Sequence, residues 1–397
     1  MNLKKQGIMK KLLLFLTFVG LTIISNAQWQ QTSCPSEKAI ICLAVNGTNI
    51  FAGTNGNGVY LSTDNGTTWN TVNSGLTNTD VRAVEVKGTN IYAGTYGSGL
   101  FVSANNGTSW TAINTGLPID NIVFISVIGG NIFVGTDNNG SLLFSSDNDG
   151  LSWSSVNTGV NFFTSLTSSG SYIFAGTYGG TVSLSVNNGS SWTNASTGIT
   201  ATIVRAIATC GTNILAGSDN GIYLSSNNGT NWNSIDSTAL YLDVAAFAVS
   251  DTNVFAGSYG GKVFMSSNCG SNWADISTGI VSSNVRSLIV ADSTIFAGTL
   301  DNGVWKRQMS EFAISKIDEL NINNRFIIYP NPAKNSLTIE SQQKSKIEIF
   351  NMQGQSILQQ TIQQCKMDID ISDLAKGLYI LRLSSSDKTE VTKFVKE

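Results

Sequence analysis

The sequence predicts an all-β chain, a seven-bladed β-propeller followed by a small β-sandwich. Three observations carry that reading. The motif Phe-Ala-Gly-Thr, or a near variant, recurs with its glycine at Gly53, Gly94, Gly135, Gly176, Gly217, Gly257 and Gly298, always 40 or 41 residues apart. Each interval holds four short apolar stretches separated by turn residues, and four strands in about forty residues make one propeller blade. After Arg307 lysines become frequent and a second set of alternating strands begins.

Composition supports strands over helices. The 397 residues include 39 glycines, 12% charged residues and no histidine. Gly, Asn, Ser and Thr crowd between the apolar runs, as tight turns between short strands require. A formal net charge of -3 offers no basic field to nucleic acid, so no such partner is expected. The lack of histidine removes the commonest general base and the commonest metal ligand, and neither a metal nor a cofactor is expected.

The N-terminus reads as a targeting segment. Lys4, Lys5, Lys10 and Lys11 precede an apolar run from Leu12 to Ile24, and Ser25-Asn26-Ala27 supplies small residues for cleavage after Ala27. The run is short for a membrane span, so residues 1–27 are read as a secretory signal peptide, with an uncleaved anchor as the alternative. Cys34, Cys42, Cys210, Cys269 and Cys365 are odd in number and irregular in spacing, unlike a disulfide framework. Cys34 and Cys42 are close enough in sequence to pair. The other three read as small buried thiols.

One repeat divides into strands at Val81–Val86, Asn90–Gly94, Gly99–Ser103 and Trp110–Asn114. An eight-residue motif, Ser62-Thr63-Asp64-Asn65-Gly66-Thr67-Thr68-Trp69, separates the third and fourth strands and has five further copies. Its third position is Asp64, Asn105, Asn148, Asn187, Asn227 or Asn268, and its last is Trp69, Trp110, Trp153, Trp192, Trp232 or Trp273. The glycine suits a turn with positive φ. The Asp or Asn accepts hydrogen bonds from turn N–H groups. The Trp is expected to fold back over the turn and bury its ring. A Ca²⁺ site wants several carboxylate oxygens, and only Asp64 supplies them here, so the motif reads as turn architecture. Sequons such as Asn65-Gly66-Thr67 fall in the same turns. Six complete copies leave the last repeat without an outer strand. Trp29 precedes Trp69 by one repeat, 40 residues. Residues 28–33 are therefore expected to close the last blade of a propeller spanning 28–309.

The motif resembles the Asp-box, S-x-D-x-G-x-x-W, of propellers in the sialidase (BNR), sortilin-like and photosystem II assembly factor groups. In sialidases the boxes are peripheral, and the resemblance implies catalysis by an arginine triad, a Tyr–Glu pair and an Asp acid. No Arg-Ile-Pro motif lies near the first blade, and the propeller's glutamates are only Glu37 and Glu85. No GxSxG, zinc or phosphate-loop motif is present. The chain is therefore read as non-enzymatic. One alternative is a glycoside hydrolase of sialidase or xyloglucanase type using Asp80 and Asp243. Another is an assembly-factor-like, protein-binding propeller.

Aligned repeats place Arg82, Arg205 and Arg286 at one position, the start of the innermost strand. Asp80 and Asp243 share the position two residues earlier, and Tyr96, Tyr178 and Tyr259 the position two after the motif glycine. In an up-and-down blade these positions meet on one face, opposite the boxes. Aromatic stacking with directional polar contacts suits an extracellular glycan or protein ligand. The competing reading has the repeats duplicating residues by ancestry and the arginines pairing with aspartates across blades. Leu43, Val84, Ile125, Leu166, Ile207, Phe247 and Leu288 are equivalent and all large and apolar, as expected of core between blades.

A linker over 310–324 leads to a C-terminal domain, 325–397. Alternating apolar residues and a hairpin signal at Gln353-Gly354 predict a small β-sandwich. Tyr329-Pro330-Asn331-Pro332, the turn at 349–355, the stretch Ile369–Leu383 and the terminal Lys393–Glu397 resemble the type A sorting domain of the type IX secretion system of Bacteroidetes bacteria. The resemblance implies that the secretion machinery is a partner, that the domain is removed after export, and that the mature protein is attached to the surface or released. The protein is expected to work outside the cell as a monomer.

Overall fold

The computed structural model describes residues 28–34, 39–119, 121–137, 142–156, 159, 162–235, 243–313, 326–341, 345–351, 354–362, 366–384 and 389–397. The chain divides into two compact units, one running to Phe312 and one starting at Ala313. The expected signal segment, residues 314–324 of the expected linker, Glu37 and Cys365 lie outside the described residues.

Among the described residues the first unit holds seven four-stranded sheets, which follow the order of the repeats. In the second blade the strands are Val81–Lys87, Asn90–Thr95, Leu100–Ser103 and Thr111–Ala112. The outer strand is shorter than the sequence suggests. Leu100 N–H donates to Asn114 Oδ1 at 2.8 Å, so a side chain continues the ladder where backbone was expected. Val59 N–H does the same with Asn73 Oδ1 at 2.7 Å.

The motif glycines sit in the second strand, where the next inner strand passes. A Cβ on Gly94 would lie 2.4 Å from Ile122 Cγ2, and on Gly217 or Gly257 2.7 Å from a methyl of Val244 or Val285. No side chain fits there, so close approach of the next blade explains the glycine. The same contact closes the ring, with Gly298 meeting Ile40 at 2.6 Å. In the third blade Gly135 is covered by its own Phe124 instead, and Phe163 begins the next inner strand.

The last blade borrows its outer strand from the N-terminus. Gln30–Gln31 pairs with Val304–Gln308, Gln30 opposite Lys306 and Gln31 opposite Trp305. Trp29 N–H donates to Thr278 O at 3.0 Å and its indole Nε1 to Ile276 O at 2.8 Å. At the other end, Ser310–Ala313 form a helical turn where the sequence suggests the start of a linker. Phe312 is the reason. Its ring is buried 5.7 Å from that of Phe255, and the Arg307 guanidinium lies 4.4 Å over it.

Each eight-residue motif is a hydrogen-bonded turn. Ser62 Oγ accepts from Gly66 N–H at 2.8 Å and donates to Asp64 Oδ1 at 2.9 Å. Asp64 Oδ1 accepts from Thr67 and Thr68 N–H, and Oδ2 from the Thr68 hydroxyl at 2.6 Å. Asn105 keeps the Oδ1 role towards Ser109 N–H and adds Nδ2–H to Ser109 Oγ at 2.9 Å. The glycine takes positive φ as expected, and so does the residue before it, as Asn65 at 56° and Gly66 at 75° show. Five of the six indoles divide in two, while Trp69 Nε1 has no hydrogen-bond partner among the described residues. Trp192 and Trp273 fold back, donating to the carbonyls of their own Gly189 and Gly270. Trp110, Trp153 and Trp232 are buried and donate to Val72, Ile113 and Ala195 of the preceding repeat. Those rings also tie blades together, while Trp110 and Trp153 still lie over their own Gly107 and Gly150 as the sequence suggests.

Cys210 and Cys269 form a disulfide, which corrects their reading as isolated thiols. Cys210 ends the inner strand of the fifth blade, and Cys269 precedes Gly270 in the eight-residue turn of the sixth. Lys87 and Asp149 hold the same two positions between the second and third blades as an ion pair at 2.5 Å. The two cysteines are 59 residues apart, but blade packing makes them neighbours. Cys42 keeps its thiol, so it is not joined to Cys34.

In the second unit Phe326–Tyr329, Ser336–Ser341 and Lys366–Asp370 form one sheet. Ser345–Phe350, Ser356–Ile362, Gly377–Ser384 and Thr389–Lys396 form another. Leu337, Ile339 and Ile369 of the first share one apolar cluster with Ile347, Leu381 and Phe394 of the second. Gly354, at φ 78°, turns the hairpin.

Two outcomes follow. In the chain-entropy picture a cross-link closing a loop of this size contributes about 4 kcal/mol. The Cys210→Ser, Cys269→Ser double variant should therefore melt well below the wild type in calorimetry, and reductant should move only the wild type. Asp64 is held down from 3.8 to about 2, chiefly by the Thr68 hydroxyl and then by Thr68 N–H. Its folded value lies below its unfolded one, so the stabilisation is full above 3.8 and is lost as pH falls towards about 2. The melting-temperature advantage of wild type over Asp64→Asn should vanish across that window.

Candidate functional site

Every inner strand begins with an irregularity. Register shifts occur between Ile40 and Cys42, between Val81 and Ala83, and at the matching place in the other five blades. The skipped residue in three of them is Arg82, Arg205 or Arg286. A bulge re-aims the side chain it carries, and here it turns the guanidinium to the ring's centre. The turn after the second strand reaches the same end. Tyr96 N–H donates to Asp80 O, Tyr178 N–H to Phe162 O and Tyr259 N–H to Asp243 O, each at 2.9 Å.

A cavity of about 450 Å³ opens there. Arg82, Arg205, Arg286, Tyr96, Tyr178 and Tyr259 all line it, so the structure brings six of the sequence-selected residues together. Asp80 and Asp243 do not line it. Asp80 holds Arg82 of its own strand, with Nη2 donating to Oδ2 at 2.7 Å. Asp243 reaches across a blade boundary, taking Arg205 Nε at 2.5 Å and Nη2 at 2.8 Å. That carboxylate raises the Arg205 guanidinium above its ordinary value, mainly through the hydrogen bonds, so the guanidinium stays charged. No carboxylate among the described residues pairs with Arg286. Its guanidinium lies 5.2 Å over the Tyr259 ring, which also has Arg205 at 4.9 Å. Arg82 lies 5.1 Å over Tyr96.

Other lining residues were not singled out from the sequence. Val84, Ile125, Ile207, Phe247 and Leu288, expected only as core, contribute to the wall. Cys42 also lines it, and burial outweighs the nearby guanidinium groups to push its thiol up to about 12, so it stays neutral. Asp137 is the one carboxylate among the lining residues. Phe162, which occupies the Asp80 position of the fourth blade, is 48% exposed and has φ 64°. Repeat alignment placed Asp137 and Phe162 in the right rings, but they differ from the residues that recur there.

Comparison with known proteins fits this geometry. Residues 327–397 match the secretion system C-terminal sorting domain, and residues 17–130 match the DUF6242 beta propeller domain. No curated protein matches the sequence. Among solved structures, YCF48 from Cyanidioschyzon merolae superposes with a TM-score of 0.58 at 15% identity, over 72% of this chain and 99% of that one. PorZ, described as an essential surface component of the type IX secretion system of Porphyromonas gingivalis, gives 0.54 at 17% identity, over 89% of this chain and 59% of that one. A GH74 enzyme of Niastella koreensis gives 0.52 at 16% identity, over 68% and 43%. At these identities the likeness is one of fold. The molecule is an all-β propeller protein with a secretion-system sorting domain at its C-terminus. That domain marks it for type IX export to the cell surface or the extracellular space.

The Arg205–Asp243 pair ties two blades beside the cavity. Hydrogen bonds to a charged group contribute about 1.5–3 kcal/mol. Asp243→Asn should lower unfolding free energy by about that amount in urea titration, and a double-mutant cycle with Arg205→Gln should assign most of it to the pair.

Proposed function

We propose that this is a non-enzymatic binding protein whose propeller holds an extracellular glycan or protein at the cavity mouth. The observation that supports this best is the convergence of three guanidinium groups and three tyrosines from five blades on one cavity. Arg and Tyr in such settings supply most of the binding energy at interfaces. An ordinary glycoside hydrolase needs two carboxylates facing one substrate. Asp80 and Asp243 are engaged by arginines and do not line the cavity, and Asp137 lines it without a second carboxylate among the described residues. In this reading residues 1–27 are cleaved as a signal peptide and the exported protein acts as a monomer. The likeness to PorZ, itself a surface component, accords with work outside the cell.

Two measurements test the proposal. A panel of fluorogenic glycosides should show no turnover, and hydrolysis abolished by Asp80→Asn or Asp243→Asn would replace it with the glycosidase reading. Any ligand found by glycan array or pull-down should bind the triple variant Arg82→Ala, Arg205→Ala, Arg286→Ala at least roughly tenfold more weakly. Undiminished binding would place the site elsewhere.

A further inference from the structure

The cavity face is uneven in a way that the three-arginine pattern hides. Among the described residues eight large apolar side chains of the propeller are exposed; Leu151 and Val186 belong to the box turns of the opposite face, and Val281 to the loop that leads into the Arg286 strand. Tyr96, Ile119, Leu142, Phe162 and Tyr178 all lie in the second, third and fourth blades, at the cavity end or in the loops that reach it. Leu142 sits at this end because Thr136 N–H donates to its carbonyl at 3.0 Å in the turn before the third strand. Exposed apolar side chains gathered on neighbouring blades mark an interaction surface.

Phe162 sharpens the point. Its ring gains little from burial, and its backbone sits in the left-handed region, which costs an L-residue roughly 1–2 kcal/mol. Strain of this kind clusters where a side chain must be presented to something outside. On the far side of the ring, where Val281 is exposed, a cation adds a second chemistry. Arg286 lines the cavity with its guanidinium stacked on Tyr259 and no carboxylate among the described residues. Asp219 and Asp301 stand at the same end, but they are turned to Thr202 and to Ser282 and Ser283 and do not line the cavity. An acidic group therefore gains only by reaching past that rim to Arg286.

We propose that this face docks an extended polypeptide segment, which lays apolar side chains on Tyr96, Leu142, Phe162 and Tyr178 and delivers one carboxylate to Arg286. The proposal rests on the reading of the cavity mouth as the ligand site. Aliphatic residues beside the aromatic ones favour a polypeptide over a sugar, because a sugar ring stacks on aromatic faces and needs a denser set of polar partners. Arg82 and Arg205 are already held by Asp80 and Asp243, which leaves one guanidinium for one carboxylate.

The test is to pan a displayed random-peptide library on the full chain and to synthesise the enriched peptides with their acidic groups intact or amidated. Enriched sequences should combine aromatic or aliphatic residues with one acidic group. Amidation should weaken binding to the wild type roughly tenfold or more and change nothing for Arg286→Gln. Phe162→Gly should weaken peptide binding while melting at or above the wild-type temperature, since glycine takes this φ without strain. The inference is overturned by no enrichment, by enriched peptides indifferent to amidation, or by an amidation effect that survives in Arg286→Gln. Capture by a glycan array, or by vesicles of anionic phospholipid, without peptide binding would overturn it too, while leaving the mouth as a ligand site. If no class of ligand responds to Arg286→Gln or Phe162→Gly, the binding reading itself fails.

Discussion

The first unit depends on one contact, a side chain of the next inner strand resting on a glycine with no room for a Cβ. Val81, Ile122, Val204, Val244, Val285 and Ile40 each rest against the motif glycine of the preceding blade, and all six are fully buried. Interiors pack at crystal-like density, so one added methyl in this seam must move a whole blade. The spacing it sets brings the inner strands close enough for their bulged residues to share one cavity. Blade three shows the tolerance of the scheme. There Phe124 fills the space over Gly135 from its own strand, and the larger Phe163 opens the next one.

The two ends of the blades divide the work. At the box end, serine hydroxyls and Asp or Asn carboxyl and amide groups satisfy the turn N–H groups, and buried indoles cross to the preceding blade. The seam position occupied by Lys87 and Asp149 in one place is a disulfide in another. Different chemistry serves the same geometric need, and this end can be rigid throughout. At the cavity end the equivalent positions diverge instead. Arg, Thr, Ala, Val and Ile alternate at the bulge, and Tyr, Asp, Asn and Leu at the turn. The scaffold is repeated while the surface it presents is individual.

Much of this was legible because the repeat is strict. The period located the blades, the spare N-terminal tryptophan suggested the closing strand, and ring alignment put Arg82 and Tyr96 at one end. What stayed hidden depends on contacts between repeats, which one period cannot reveal. Trp192 and Trp110 occupy the same place in the motif, yet one bonds its own turn and the other the preceding blade. Asp80 and Asp243 are equivalent, yet one holds an arginine of its own strand and the other an arginine of the neighbouring blade. Cys210 and Cys269 looked unrelated until the seam placed a strand end beside a turn. The bulge, which aims the arginines, leaves no mark in residue type at all, since Ile, Thr and Ala occupy it as readily as Arg.

The closing strand has a consequence for how the molecule is made. Three strands of the last blade come from residues 285–308 and the fourth from residues 30–31. The earliest part of the ring to emerge, from a ribosome or a translocation pore, must therefore wait for the latest. Until then the ring is an open arc, with the Gly298 seam and the strand Val304–Gln308 uncovered. Sequence-distant closure of this kind is slow, and exposed strand edges invite pairing with other chains. The ring therefore cannot lock until the chain has emerged as far as Gln308, whatever the state of the second unit.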